Sequence, residues 1–381
     1  GGMFSERSGV VNIALEGIMV VGAFCAIYFI NRVQASAWYV ARARDLGAIG
    51  DFAKQLYRQV SGATPGADAI AALRQSFDQL MATGNPLALP GGAGYAQTIS
   101  TFLSDLAKGA APDPALIEAV AAGAADAAQA QMTLTGQWLL LAAAGVAGLA
   151  GAAFSMLHAY ASIQMRADQT ISGTALNMIA PAFAIYMARL VQPNNVQQVS
   201  FANIFRLRSV PLLGDIPVLG PLLFQNAYVT TYLGLILLAG AAFAIYRTRF
   251  GLRLRACGEF PQAADSVGVN VYRIRYAGVL ISGALAGIGG LVFVVPTSTN
   301  FNATVSGYGF LALAVLIFGQ WKPLRILLAA LFFGLMKTIS ASYSGIPVLK
   351  GLPVPSDVYK MVPYIATLVV LAFTSRRSQA P

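Results

Sequence analysis

The sequence predicts an all-α polytopic membrane protein, with about eight transmembrane or broken helices and an inserted, mainly helical lobe outside the membrane. Three observations predict it. Apolar residues make up 57% of the 381 residues and charged ones only 10%, with a mean hydropathy of +0.64, whereas a soluble domain carries about 25% charged residues. Stretches of about 20 mainly apolar residues, enough to cross a bilayer, recur along the chain. Between the first and second of them lies one long segment, residues 34–133, that is Ala-rich and polar.

Charge and chemistry narrow the function classes. Lys and Arg exceed Asp and Glu, for a formal net charge of +10. Many of these basic residues stand in short loops between apolar segments, where they set topology rather than meet nucleic acid, so no nucleic-acid partner is expected. Cys25 lies in an apolar segment and Cys257 in a basic loop, so no disulfide or metal framework is implied. No His/Glu zinc spacing, Gly-rich phosphate loop with Lys-Ser/Thr, or nucleophile elbow occurs in the sequence. No catalytic residue, metal or cofactor held by this chain is expected, and the single histidine, His158, reads as an interfacial residue at a helix end.

The candidate spans are residues 9–32, 134–158, 170–190, 227–246, 273–296, 306–319, 324–343 and 357–374. The first carries Asn12, Glu16, Gly17 and Gly22. An ionised carboxylate in mid-bilayer is costly unless it faces protein or water, and glycine with polar side chains in an apolar stretch is the pattern of a broken helix. Residues 9–22 are therefore read as a broken segment beside a cavity or path, the alternative being that Glu16 sits near the interface, bonded within the bundle. In the lobe, Phe52, Leu56 and Val60, then Ile70, Leu73, Phe77 and Leu80, then Ile99, Phe102, Leu103 and Leu106 recur at helical spacing. A further helix starts at Asp113-Pro114, with Leu116, Ile117 and Val120 on one face. The lobe's acids outnumber its Lys and Arg, which fits the outer side of the membrane.

Beyond Leu134 the spans alternate around a basic loop, Arg247–Arg275, which the positive-inside rule places in the cytoplasm with Lys322, Arg376 and Arg377. Arg206 and Arg208, in the Pro- and Gly-rich outer loop 191–226, are the exception. Gly283, Ala284, Ala286, Gly287, Gly289 and Gly290 make the helix after the basic loop a close-packing one. Tyr308 is either an aromatic rim on a path or an interface anchor. Within the basic loop, Glu259 to Gly268 has the layout of one short capped helix, with Pro261 at the first helical position and Gly268 just past the end. About two turns of helix are marginal alone in water, so this one must dock on something.

Gly258-Glu259, Pro261, Ala263-Ala264 and Gly268 resemble the Glu/Ala-Ala/Gly coupling loop of permease subunits of bacterial ABC importers. Ser5 to Ile13 (SERSGVVNI), Arg247 to Arg253 (RTRFGLR), Ser282 to Gly287 (SGALAG) and Phe318 to Pro323 (FGQWKP) look like the branch that imports nucleosides and simple sugars. Several separated blocks in order make the resemblance specific, and it covers the chain except roughly residues 34–133. Phe260 stands where the family more often has Asn, so a good N-cap oxygen is missing. The chain opens at Gly1-Gly2-Met3 without the family's leading hydrophobic helix, and an N-terminal truncation is expected.

The chain thus divides into three regions: residues 1–33 as an N-terminal broken membrane segment, 34–133 as an inserted periplasmic lobe read from its composition and charge, and 134–381 as the permease core with coupling loop 247–275, the first and third being those the resemblance covers. The resemblance implies a multi-pass subunit of the bacterial inner membrane that moves a nucleoside or simple sugar. Glu259, Pro261, Ala263, Ala264 and Gly268 would couple it to ATPase subunits, which use ATP and Mg while this chain binds neither. A second permease subunit forming a heterodimer, an external solute-binding protein and membrane lipid are the other partners implied. The alternatives are a secondary transporter of a small polar solute, or a permease for another solute class such as branched-chain amino acids. Asn12, Glu16, Asn177 and Tyr308 are the candidates to border the solute path. Asn12 and Glu16, four apart, would share one face of a helix; the competing role for these side chains is to bond helix to helix.

Overall fold

The computed structural model describes residues 1–60, 66–82, 92–108, 114–192, 195–209, 216–217, 220, 224–342, 361 and 365. Its helices are α1 (Gly2–Arg7), α2 (Leu15–Gln34), α3 (Ala37–Val60), α4 (Ala67–Ala82), α5 (Gly92–Ala107), α6 (Pro114–Ala159), α7 (Gln169–Val191), α8 (Val229–Arg247), α9 (Arg249–Glu259), α10 (Pro261–Ser266), α11 (Val271–Thr297), α12 (Tyr308–Phe318) and α13 (Pro323–Ser342). A single π-helical turn, Tyr160–Gln164, continues α6. Among the described residues, α2, Thr135–Gln164, α7, α8, α11 and α13 are long and apolar enough to cross a membrane, and α12 is a shorter apolar helix. These match the expected spans up to residue 343. Apart from residues 361 and 365, the expected span 357–374 and the tail with Arg376 and Arg377 lie outside the described residues.

Two compact units make up the chain, one of Gly1–Ala26, Ala144–Gln198 and Thr230–Pro381, the other of Ile27–Ala143 and Val199–Val229. In the second unit α3, α4 and α5 bury the apolar faces that the helical spacing predicts. Phe52, Leu56, Leu73, Phe77, Leu80, Ile99, Phe102, Leu103 and Leu106 are buried, and the rings of Phe52 and Phe77 lie 5.8 Å apart. The faces expected at Val60 and at Leu116, Ile117 and Val120 lie outside the described side chains. The helix expected to start near Pro114 does not stop before the membrane segment: α6 runs unbroken for 46 residues, since its Ala-rich sequence holds no proline after Pro114 to end it.

The segment between α7 and α8 also holds a feature the all-α reading lacks. Strands Arg206–Ser209 and Gln225–Tyr228 pair antiparallel, with Arg206 opposite Tyr228, Leu207 opposite Ala227 and Ser209 opposite Gln225. Arg206, one of the two exceptions to the charge pattern, stacks its guanidinium on the Tyr228 ring. Within the same unit Gln34 exchanges two hydrogen bonds with the backbone of Ala202, and Gln137 donates to the Phe205 carbonyl. Side-chain amides thus satisfy backbone that has left regular structure.

The first unit is organised by a seam of small residues. A Cβ on Gly287 of α11 would strike the backbone of Ala147 and Gly151 in α6, and one on Gly22 of α2 would strike Gly287 itself. Gly283 is closed by Ser155, and Gly290 by the backbone of Met19. Gly289 is different, with only the tip of Met19 at 3.9 Å. Membrane helices have no hydrophobic drive to associate within lipid, so such close backbone contact and the dispersion it brings hold them together. Gly287→Val is expected to lower stability by roughly 1–3 kcal/mol, read as earlier unfolding in detergent micelles. Gly240→Val, where an added Cβ meets nothing within 4 Å, should change it far less, and equal losses would contradict the seam.

Candidate functional site

The expected break in the first membrane segment is real but shorter than residues 9–22. Helix α1 ends at Gly9, which takes φ +84°, with the Gly9 N–H donating to the Glu6 carbonyl and the Val10 N–H to that of Ser5. This is a Schellman close, and a left-handed residue there suits glycine. Residues Val10–Ala14 are irregular and α2 starts at Leu15. Gly17 and Gly22 therefore lie inside a helix, where they permit close packing rather than break it. The shared face expected for Asn12 and Glu16 is also absent, because Asn12 precedes the helix.

A break inside a bundle leaves backbone groups that lipid cannot satisfy. Here side chains from three other helices, with Gln169 at the start of α7, satisfy them. Arg275 of α11 donates from Nε to the Ser8 carbonyl at 3.2 Å. Gln169 accepts from the Val11 N–H at 2.7 Å, and His158 of α6 lies 3.0 Å from the Val11 carbonyl through Nε2. Asn177 of α7 does two things: its Nδ2 donates to the Ile13 carbonyl at 2.9 Å and its Oδ1 accepts from the Gly17 N–H at 2.8 Å. Since a carbonyl only accepts, His158 must carry its proton on Nε2, leaving Nδ1 to accept from the Ser172 hydroxyl 3.1 Å away. His158, expected as an interfacial residue at a helix end, is fully buried and its two ring nitrogens are engaged within the bundle.

Side chains of the break and of the first turn of α2 reach outward in turn. Asn12 is fully buried and donates to the Ser282 hydroxyl of α11 at 3.2 Å. Glu16 accepts from the N–H groups of Gly307 and Gly309 at 2.9 and 2.6 Å. Those two amides open α12, so the carboxylate caps a helix N-terminus whose dipole favours negative charge. A Cβ on Gly309 would collide with Glu16, which is why the second residue of α12 carries no side chain. Tyr308 lies apart from this network, between Phe293, at 4.2 Å between ring centroids, and the Lys337 ammonium, 5.2 Å above its ring. It lines a cavity of about 490 Å³ whose wall is mostly apolar, with Met19, Leu285, Leu311 and Phe333. Asn12, Glu16 and Asn177 are not on that wall.

The basic loop folds as two short helices. Thr248 caps α9 by accepting from the Gly251 N–H, and Glu259 is its last residue. After Phe260, Pro261 opens α10 without any side-chain cap. The end is a second Schellman close: Gly268 at φ +84°, its N–H on the Asp265 carbonyl and that of Val269 on Ala264. Ala264 is buried, whereas Phe260 and Val267 are 59% and 77% exposed, leaving an apolar surface on this helix. Sequence reasoning missed α9 and the way α1 seats on it. Gly258 has the Arg7 carbonyl where a Cβ would be, and Glu6 accepts from the Trp321 indole. Burial raises the Glu6 carboxyl above its ordinary value. Just before α7, N–H groups of Ile171 and Thr170 hold Asp168 below its own. Among the described residues no group of His, Cys, Asp and Glu is placed to hold a metal.

Apolar helices long enough to cross a membrane, an interrupted segment tied into them and a short glycine-closed helix on a basic loop are the architecture of an integral membrane protein. Residues 116–371 match the family described as branched-chain amino acid transport system / permease component, and the chain belongs to that family. It is 35% identical over 383 aligned positions to the guanosine ABC transporter permease protein NupQ of Bacillus subtilis, covering 100% of this chain and 88% of that one. The nucleoside ABC transporter permease protein NupC of Lactococcus lactis is 41% identical over 238 residues, 61% of this chain and 73% of the relative. A putative glucose ABC transporter permease protein, TsgC13 of Haloferax volcanii, is 28% identical over 267 residues, 65% of this chain and 78% of the relative. No solved structure matches the chain. The family and the apolar spans make this a multi-pass permease subunit of the inner membrane.

The paired hydrogen bonds of Asn177 generate a test. Asn177→Ala leaves the Ile13 carbonyl and the Gly17 N–H without their partner and should cost about 1–3 kcal/mol, measured by unfolding in detergent. Thr174→Ala on the same helix removes only a bond to the Thr170 carbonyl within its own helix and should cost much less. Equal effects would mean that the break does not depend on Asn177.

Proposed function

We propose that this chain is the membrane-spanning subunit through which an ATP-driven importer takes up a nucleoside. The observation that carries the substrate class is the similarity to a guanosine permease along the whole chain, lobe included. The docking helix from Pro261 to Val267 supports the coupling role, because its exposed Phe260 and Val267 offer apolar surface to an ATPase groove. ATP and Mg belong to that ATPase, and Glu259, Ala263 and Gly268 border the contact. ATP binding closes the ATPase pair, α10 carries the motion into the bundle, and the bundle alternates between outward-facing and inward-facing states. Solute reaches it from an external binding protein.

The chain resembles both nucleoside permease proteins of Lactococcus lactis, NupC at 41% identity and NupB at 30% over 132 residues. Two related permeases in one organism support a heterodimer here. Tyr308, on the cavity wall, is read as an aromatic face for the solute's base, and Asn12, Glu16 and Asn177 as the side chains that meet its hydroxyls and base edges once their bonds within the bundle are exchanged during transport. A site that bonds a hydroxyl discriminates better than one relying on shape.

The complex of both permeases, ATPase and binding protein in proteoliposomes should take up radiolabelled guanosine only with internal ATP. Uptake of leucine or glucose in preference to any nucleoside would contradict the substrate class. In the same preparation Gly268→Val should reduce co-purified ATPase about tenfold, since forcing a β-branched residue to positive φ costs on the order of 1–2 kcal/mol. No atom lies within 4 Å of the new Cβ, so the bundle itself should stay monodisperse. Undiminished ATPase attachment would remove α10 from the interface.

A further inference from the structure

We propose that Arg275 is the positioning residue that ties the docking helix to the break in the membrane segment, so that movement of α10 is delivered to Ser8–Ala14. The inference rests on the functional reading above and goes further, naming the link inside this chain. It begins with a proline. In a continuous helix the carbonyl of Cys257 would accept from the residue four further on, and that residue is Pro261, which has no N–H. Arg275 supplies the missing donor, its Nη2 lying 3.5 Å from the Cys257 carbonyl.

The same guanidinium donates to the Ser8 carbonyl at 3.2 Å. Ser8 is the C-cap of α1 and Cys257 lies in the last turn of α9, so one cation sits between the negative ends of two helices. A planar fork with donors in fixed directions can hold two carbonyls at once, which a lysine cannot do in the same way. The backbone around it is closed. A Cβ on Gly258 would meet the Arg7 carbonyl, one on Gly9 would lie 3.2 Å from Arg275, and one on Gly278 would lie 3.0 Å from Phe4 and Ser8. The ion pair of half-buried Arg7 with exposed Glu259, stretched to 4.0 Å, adds little by comparison. Only Phe260 separates α9 from α10, so a displacement of the docking helix moves Cys257 and Gly258, and through Arg275 it moves Ser8. Within that segment Asn12 is fully buried, with an Oδ1 that has no hydrogen-bond partner among the described residues and is free to accept one when the segment moves.

The test uses the complete transporter with Cys25→Ser and Cys257→Ala. Wild-type Arg275, Arg275→Ala and Arg275→Lys are compared for ATPase attachment and for nucleoside moved per ATP hydrolysed. Attachment is expected to persist while uptake per ATP falls about tenfold in the alanine variant, within the range of coupling free energies, and falls less in the lysine one. A second readout needs no solute: Val11→Cys, on a residue 42% exposed, is labelled with a water-soluble thiol reagent with and without ATP. ATP should change the labelling rate with Arg275 and not with alanine. Unchanged uptake per ATP, an ATP response of labelling equal in both proteins or absent from both, or loss of the ATPase from both variants would overturn the proposal. A wild-type complex that moves no nucleoside yet shows the Arg275-dependent labelling response would count against the substrate reading alone.

Discussion

An interrupted helix inside a bilayer must have its freed backbone groups satisfied by protein, and the first unit of this chain is arranged around that constraint. Between Ser8 and Gly17 the backbone turns to Arg275, Gln169, His158 and Asn177. Each is polar or charged, and each stands on or beside an otherwise apolar helix. Their roles follow from one requirement rather than from four separate ones. Glu16 extends it by one step, since its carboxylate serves the exposed amides of a second helix start at Gly307 and Gly309. The glycine seam then lets α2, α6 and α11 approach closely enough for these short side chains to reach.

The same punctuation appears at the two ends of the proposed coupling route. Helices α1 and α10 are six residues each, and both close with a glycine at φ +84° and the same pair of backbone hydrogen bonds. Six residues are too few to be stable alone, so both are held by what they touch: α1 by α9 and α11, α10 by its own buried Ala264 and, in the proposed assembly, by the ATPase. Short elements with defined ends move as rigid pieces, which suits a transmission path better than a long flexible loop would.

Much of this was legible in the sequence, for reasons that are local. Spans, the Pro261 start and the Gly268 stop depend on neighbours within a few residues, and the apolar faces of α3, α4 and α5 depend on one period. Small residues in α11 announce close packing wherever their partner lies. What could not be read is the pairing across the chain. His158 and Val11, Asn177 and Ile13, or Arg275 and Ser8 are separated by 147, 164 and 267 positions, and no local rule joins them. The signal available was weaker: a lone histidine and a few amides in apolar stretches, which are costly there unless engaged. Asn12 and Glu16 misled because spacing of four implies a shared face only if the helix is continuous, and here it starts between them.

The central claim is that neighbouring side chains hold the broken backbone, and amide hydrogen exchange resolved to single residues tests it most directly. Gln169→Ala should speed exchange at Val11, and Asn177→Ala at Gly17, each about five- to tenfold, the equivalent of a hydrogen bond worth roughly 1 kcal/mol. The Ile18 amide, bonded to the Ala14 carbonyl at the start of α2, should keep its rate in Gln169→Ala. Rates at Val11 and Gly17 that do not change, or that rise no more than Ile18 in both variants, would contradict the account.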